Sequence, residues 1–224
     1  MTTPARVPRW LQAYTLDSKP ARTSAREKSP PPAGLRPVER WSIPAELRHH
    51  CAWAVWRYEQ DSANRWSKPP YQPNGDKAEA SDDTTWSEFD DAYEAYKQNK
   101  SPDGKRPYDG VSFAIDPRWG IVGVDLDHVS EHRAEVHRIV HEIDSYTEIS
   151  PSGDGRRIFV KGSLPPGRRR RDWVEAYVRR RFLTVTGEHV PGTPKTIESR
   201  TKQLERVFWQ WLGQDEASIK RSTR

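Results

Sequence analysis

A single cysteine, Cys51, stands in 224 residues, which excludes an internal disulfide and any cysteine-rich zinc site. That usage points to a reducing compartment. Long hydrophobic runs are missing too, and no stretch approaches the ~20 apolar residues that span a bilayer. The N-terminus lacks the apolar core of a secretory signal; it is arginine-rich, but its prolines and Asp17 oppose the helix of a transit peptide. No internal repeat is present. These absences remove the membrane-embedded and disulfide-stapled secreted classes and lead to the expectation of a soluble, cytoplasmic protein.

What the chain does have is charge, unevenly placed. The formal net charge is only +5, but arginines cluster at Arg168, Arg169, Arg170 and Arg171 and again at Arg179 to Arg181. A local basic surface suits a polyanionic partner; a solvated, flexible loop after Pro165, Pro166 and Gly167 is the other reading of the first run. The length suits one compact core with tails. Residues 1 to about 40 carry too little apolar surface to offset the cost of ordering and are expected to be a disordered basic, proline-rich arm. Within it Trp10, Leu11, Tyr14 and Leu16 are the exception, expected as a transient apolar cluster or a short docking element for another protein. The folded domain is expected over 41–213, and 214–224 as a flexible tail.

Between the tails, strands are expected at Ala52–Tyr58, Val111–Ile115, Ile121–Leu126, Tyr146–Ile149, Ile158–Lys161, Trp173–Tyr177 and Phe182–Thr186. The second and third of these look like a hairpin turned at Asp116 to Gly120. Trp86, Phe89, Tyr93 and Tyr96 recur at helical spacing after Asp83 or Thr84 as N-cap. Ser130 is placed to cap a helix carrying Val136, Ile139, Val140 and Ile143, and Ile197 to Trp211 fit a last one. The class is α+β, with a largely antiparallel sheet packed by helices.

The run Gly120-Ile-Val-Gly-Val-Asp-Leu-Asp-His128 ends a buried strand in two carboxylates. Alternation puts Asp125 and Asp127 on one face, roughly 7 Å apart. Such a pair suits Mg²⁺ or Mn²⁺, which favour oxygen ligands and substrate phosphates; taken alone, it is more commonly a strand end entering a polar turn. Ser150-Pro-Ser-Gly-Asp-Gly155 is a tight turn able to form an anion-binding nest, or an ordinary loop. The strand after it sends Arg157, Phe159 and Lys161 to one face and Ile158 and Val160 to the other. Glu175, inside Trp173-Val-Glu-Ala-Tyr177, either completes a set of three carboxylates or pairs with Arg179, Arg180 or Arg181.

In order along the chain, Trp53-Ala-Val-Trp-Arg-Tyr58, Lys68-Pro-Pro-Tyr71, Trp86-Ser-Glu-Phe89, Gly110-Val-Ser-Phe113, Val124-Asp-Leu-Asp-His128, Tyr146 to Gly155 and Glu175-Ala-Tyr177 resemble the primase-polymerase domains of phages and plasmids. These domains are members of the archaeo-eukaryotic primase superfamily. The resemblance implies that superfamily's two-layer fold with an RRM-like sheet. It makes Asp125, Asp127 and Glu175 the carboxylates that bind two Mg²⁺ or Mn²⁺ ions. Ser150, Ser152, Gly153, Gly155 and Arg157 then bind the triphosphate, with Lys68 and Arg181 contributing. At position 157 the family has a histidine; arginine is always a cation and cannot shuttle a proton.

The implied activity is a template-dependent DNA primase/polymerase of a mobile element, with single-stranded DNA and nucleoside triphosphates as partners. A separate replicative helicase is an expectation by analogy. Template affinity would come from Arg168 to Arg171 and from aromatic stacking. The competing expectation is a non-catalytic single-strand-binding accessory on the same fold.

Overall fold

In the computed structural model, residues 32, 34–98 and 100–213 are described, all within the unit Pro31–Arg224. Most of the expected arm, with Trp10 to Leu16, and the tail 214–224 lie outside the described residues. The strands are β1 (Trp53–Trp56), β2 (Glu59–Gln60), β3 (Trp66–Ser67), β4 (Pro70–Tyr71), β5 (Gly110–Ile115), β6 (Ile121–Leu126), β7 (Thr147–Ile149), β8 (Arg156–Lys161), β9 (Arg170–Arg171), β10 (Val174–Tyr177) and β11 (Arg181–Val185). The helices are α1 (Ala45–Arg48), α2 (Phe89–Lys97), α3 (Arg133–Ile143) and α4 (Thr201–Val207), the last continued by a π turn over Phe208–Leu212. This is an α+β protein. No described helix is long and apolar enough to cross a membrane.

The main strands divide between two antiparallel sheets, ordered β11-β5-β1-β4 and β7-β8-β6-β10-β9, and β2 pairs with β3 in a separate ribbon. The expected hairpin of β5 with β6 is therefore corrected. Both edges of β5 are taken by β1 and β11, and both edges of β6 by β8 and β10, so neither has a free edge for the other. The link between them is a 3-10 turn, Pro117–Trp119, capped by the Asp116 carboxylate and closed by Gly120 at φ +62°. It carries the chain from one sheet to the other.

Where the sheets meet, the rings of Phe113 and Phe159 lie 6.3 Å apart. Gly123 allows the approach, because a Cβ there would sit 2.3 Å from Leu183 Cδ1 and 3.0 Å from Ile115 Cδ1. Phe89 of α2 packs edge-on against Trp53 at 4.7 Å in the same core. On its other face the five-stranded sheet presents Val122, Val124, Leu126, Ile158, Val160, Val174 and Ala176 to Val136, Ile139 and Ile143 of α3 and Leu204 and Val207 of α4. Each such buried aliphatic side chain contributes roughly 1.5–3 kcal/mol.

Local chemistry moved three further boundaries. Asp82 caps a short turn at Asp83–Thr85, and α2 starts only at Phe89. Trp86 and Ser87 stay extended because Ser87 pairs with Trp53 through two backbone hydrogen bonds. Ser130 does not cap α3: its N–H and hydroxyl both donate to the Asp154 carboxylate, at 2.7 and 3.1 Å. Ile197 is buried in the first core ahead of α4. From Arg36 onward the chain is part of the fold, with Arg36 N–H donating to Pro151 O at 3.0 Å and Glu39 N–H to Thr186 O at 2.6 Å. Gly187, at φ +71°, lets Glu39 lie there, since a Cβ would come within 2.4 Å of Glu39 O.

Candidate active site

Register brings the charges together. Glu175 of β10 lies directly opposite Asp125 of β6, Asp125 opposite Arg157 of β8, and Arg157 opposite Glu148 of β7. Residues directly opposite share a face, so one charged row crosses four strands, on the face opposite the Ile158 core. All four are buried, Glu148 completely. A buried charge is costly unless it is paired and hydrogen-bonded, so the partners of each are informative.

Arg157 Nη2 donates to Asp125 Oδ2 at 3.3 Å. Asp125 Oδ1 and the Nε and Nη1 of Arg157 are buried with no hydrogen-bond partner among the described residues. Glu175 is better satisfied: Arg170 Nε lies 2.7 Å and Arg181 Nη2 3.6 Å from its carboxylate, and the Tyr177 hydroxyl donates to it. The pairing of Glu175 with an arginine that the sequence left open is thus found for Arg181, and Arg170 joins it. Burial and this hydrogen bond push the Tyr177 hydroxyl up.

Asp127 lies just past β6, its N–H bonded to Trp173 O at 2.9 Å. Burial, then the charges of Asp125 and Glu175, push its carboxyl above the usual range, with Arg157 pulling the other way. Asp127 therefore lies within electrostatic reach of both other carboxylates. As they stand, no three histidine, cysteine or acidic side chains among the described residues are gathered to hold a metal ion. Lys68 faces the same charges: burial, then Arg157, push its ammonium down to about 8 against the pull of Asp125 and Asp127.

Lys68, Asp125, Asp127, Arg157 and Arg181 line one cavity of about 580 Å³. The turn Ser150–Gly155 does not line it. Its hydroxyls of Ser150 and Ser152 contact each other at 3.1 Å, and the N–H groups of Ser150 and Gly153 bond within the turn. It abuts the end of β6, where a Cβ on Gly155 would lie 3.2 Å from Leu126 O. Gly153 and Asp154 instead face a separate groove beside α3. Of the arginine run, Arg169 donates to Pro165 O at 2.9 Å, Arg170 turns to Glu175, and Arg171 lies 3.9 Å from Asp172. Arg168, Arg170 and Arg171 are exposed all the same and Arg169 is half-buried, so the run stays at the surface.

Sequence reasoning passed over Glu148, Tyr58 and Thr184, and named Arg180 only as a partner for Glu175 or a phosphate. Tyr58, Arg180 and Thr184 line the cavity. Glu148 accepts from Thr186 N and Gly187 N, both at 2.9 Å, and from the Tyr146 hydroxyl at 3.0 Å. Complete burial pushes it up to about 7 against the pull of those donors and Arg157. Its signal was available, since it is an acidic residue inside an apolar strand as Glu175 is.

With this geometry in hand, comparison identifies the class: the chain is a homologue of a phage-type primase-polymerase. The relative is the DNA primase-polymerase of Nitratiruptor phage NrS-1, 33% identical over 164 residues that cover 67% of this chain and 21% of that protein. The chain thus spans about a fifth of the length of the curated relative it matches. No family model matches it.

Proposed function

We propose that the chain is a template-dependent DNA primase/polymerase, a nucleotidyltransferase that joins a nucleoside triphosphate to a 3′-hydroxyl and releases pyrophosphate. The observation that carries this reading is the unfinished pair at the centre of the row. Asp125 Oδ1 and two Arg157 nitrogens are buried without partners among the described residues at a cavity of about 580 Å³. Buried polar groups are almost always satisfied. A cation would satisfy the first and a phosphate the second.

The donor set fits Mg²⁺ or Mn²⁺, since Asp125, Asp127 and Glu175 offer only hard oxygens. These three would hold two ions, which when bound lower the pKa of the attacking hydroxyl and stabilise the leaving pyrophosphate. Arg157 and Lys68 would bind the triphosphate, the former through the Nε and Nη1 that have no partner among the described residues. Arg181, whose guanidinium also lies over the Tyr177 ring at 4.8 Å, would assist from the cavity rim. Ser150, Ser152, Gly153 and Gly155 would serve by shaping the end of β6. Outward members of Arg168–Arg171 would neutralise template phosphates.

One observation favours a second reading, a single-strand-binding accessory without turnover. Glu175 is already held by two arginines and a tyrosine. The test is incubation with unprimed and primed single-stranded DNA, Mn²⁺ or Mg²⁺ and labelled nucleotides, with Asp127→Asn as control. Metal-dependent products that the control lacks support the enzyme, and products without a primer make it a primase. DNA binding without products under any condition supports the accessory.

A further inference from the structure

Trp41 sits in a 3-10 turn, Arg40–Ser42, with 78% of its surface exposed. Burying an indole normally stabilises a fold by more than any other side chain does, so a ring left this open is unusual. It is nevertheless held in place. The Arg40 guanidinium lies 4.9 Å and the Arg48 guanidinium 5.4 Å from its ring centre. Arg48 is itself fixed by donating to Ile43 O at 3.1 Å, and Arg40 by Asp90 at 2.7 Å.

Beside the ring is a hollow of about 240 Å³, lined by Trp41, Pro44, Arg48, His189 and Lys195 among others, with no carboxylate in its wall. Its position is set by the charged row. His189 bridges Glu148 on the outer side of β7, so Glu175, Asp125, Arg157, Glu148 and His189 lie on successive chains. At a strand spacing of ~4.8 Å, His189 is roughly 15 Å from Asp125. The hollow therefore stands at one end of the row that carries the proposed chemistry.

We propose that Trp41, with Arg48 and Lys195, is a stacking platform for a base of single-stranded DNA, a site separate from the catalytic cavity. This rests on the reading of the chain as a DNA-templated enzyme. A flat, exposed ring in a cationic setting is the combination that binds single strands without regard to sequence. The occupant is a nucleic acid rather than an acidic peptide because the ring supplies a face for a base, which a carboxylate would not use. Arg48 and Lys195, both in the wall of the hollow beside the ring, would take the flanking phosphates.

The experiment measures binding of a fluorescent oligothymidine to the full chain by anisotropy, at several salt concentrations, alongside primer extension at saturating DNA. Trp41→Ala should weaken binding roughly five-fold or more, and Trp41→Phe should keep most of it. Lys195→Ala should lower the salt slope by about one. Trp209→Ala, at a second exposed tryptophan among the described residues, should change nothing. Unchanged affinity in Trp41→Ala, with extension intact in the parent, overturns the platform and leaves the enzyme standing. Loss of affinity equal in Trp41→Ala and Trp209→Ala also overturns it. A parent that neither binds the oligonucleotide nor extends a primer refutes both readings together.

Discussion

The two faces of the five-stranded sheet are built from the same strands and obey opposite rules. Outward, Val122, Val124, Ile158, Val160, Val174 and Ala176 pack on α3 and α4 and are satisfied by burial alone. Inward, at alternate positions of the same strands, Asp125, Arg157 and Glu175 are just as buried and are satisfied only in part. The outer face stabilises the fold. The inner face carries a cost that the outer face offsets, and its unmet donors and acceptors are what a ligand would find.

The sharpest way to break this comparison is to remove one charge. Asp125→Ala removes the carboxylate that accepts from Arg157 Nη2 and leaves that guanidinium buried, and should cost about 4 kcal/mol in a urea unfolding curve. A loss under about 1 kcal/mol would mean that Glu148 already balances Arg157 and that the inner row is not in tension. On the outer face, Ile158→Ala, at a site with no exposure, should cost about 3 kcal/mol. It should leave nucleotide affinity unchanged, measured by titration of the folded variant. If affinity falls with stability, the two faces do not work independently.

Between the sheets, Gly123→Ala would drive a methyl into Leu183. The obstacle is the end of a flexible side chain, so the expected cost is about 1–2 kcal/mol, read as a lower midpoint in urea. A neutral result would show that the two sheets are less closely seated at this point.

The finest effect is a pH dependence. Native Lys68 loses its proton near pH 8, while the unfolded chain keeps it to the ordinary lysine value of 10.5. Between those values the unfolded state binds more protons, so stability attributable to this group rises with pH. Lys68→Met should remove that rise, a change of a few degrees in Tm across the window. A parent whose Tm slope matches that of Lys68→Met would place Lys68 in water rather than among the charges.

Much of the local structure was legible because it depends on near neighbours in sequence. Alternation in Ile121–Leu126 and Arg156–Lys161 separated Asp125 and Arg157 from Val124 and Ile158, and the sheet keeps that separation. Helical spacing located α3 and most of α4. The boundary at Phe89 was not legible, because Trp86 satisfies the helical pattern and yet is held extended by Ser87 pairing with Trp53, more than thirty residues away. Ser130 likewise looked like a cap but found Asp154 across the loop.

Sequence alone was enough to tell which residues alternate between faces and that two acidic residues close a buried strand. Those properties are set by periods of two and 3.6 residues and by composition. Packing of the whole chain was needed to part β5 and β6 into different sheets, to bring Glu148 into the charged row, to pair the exposed Arg170 with the buried Glu175, and to leave Trp41 in water. Each depends on which strand edge or charge is still free once the others have paired. That competition is between groups distant in sequence, and it is settled only when the whole chain has packed.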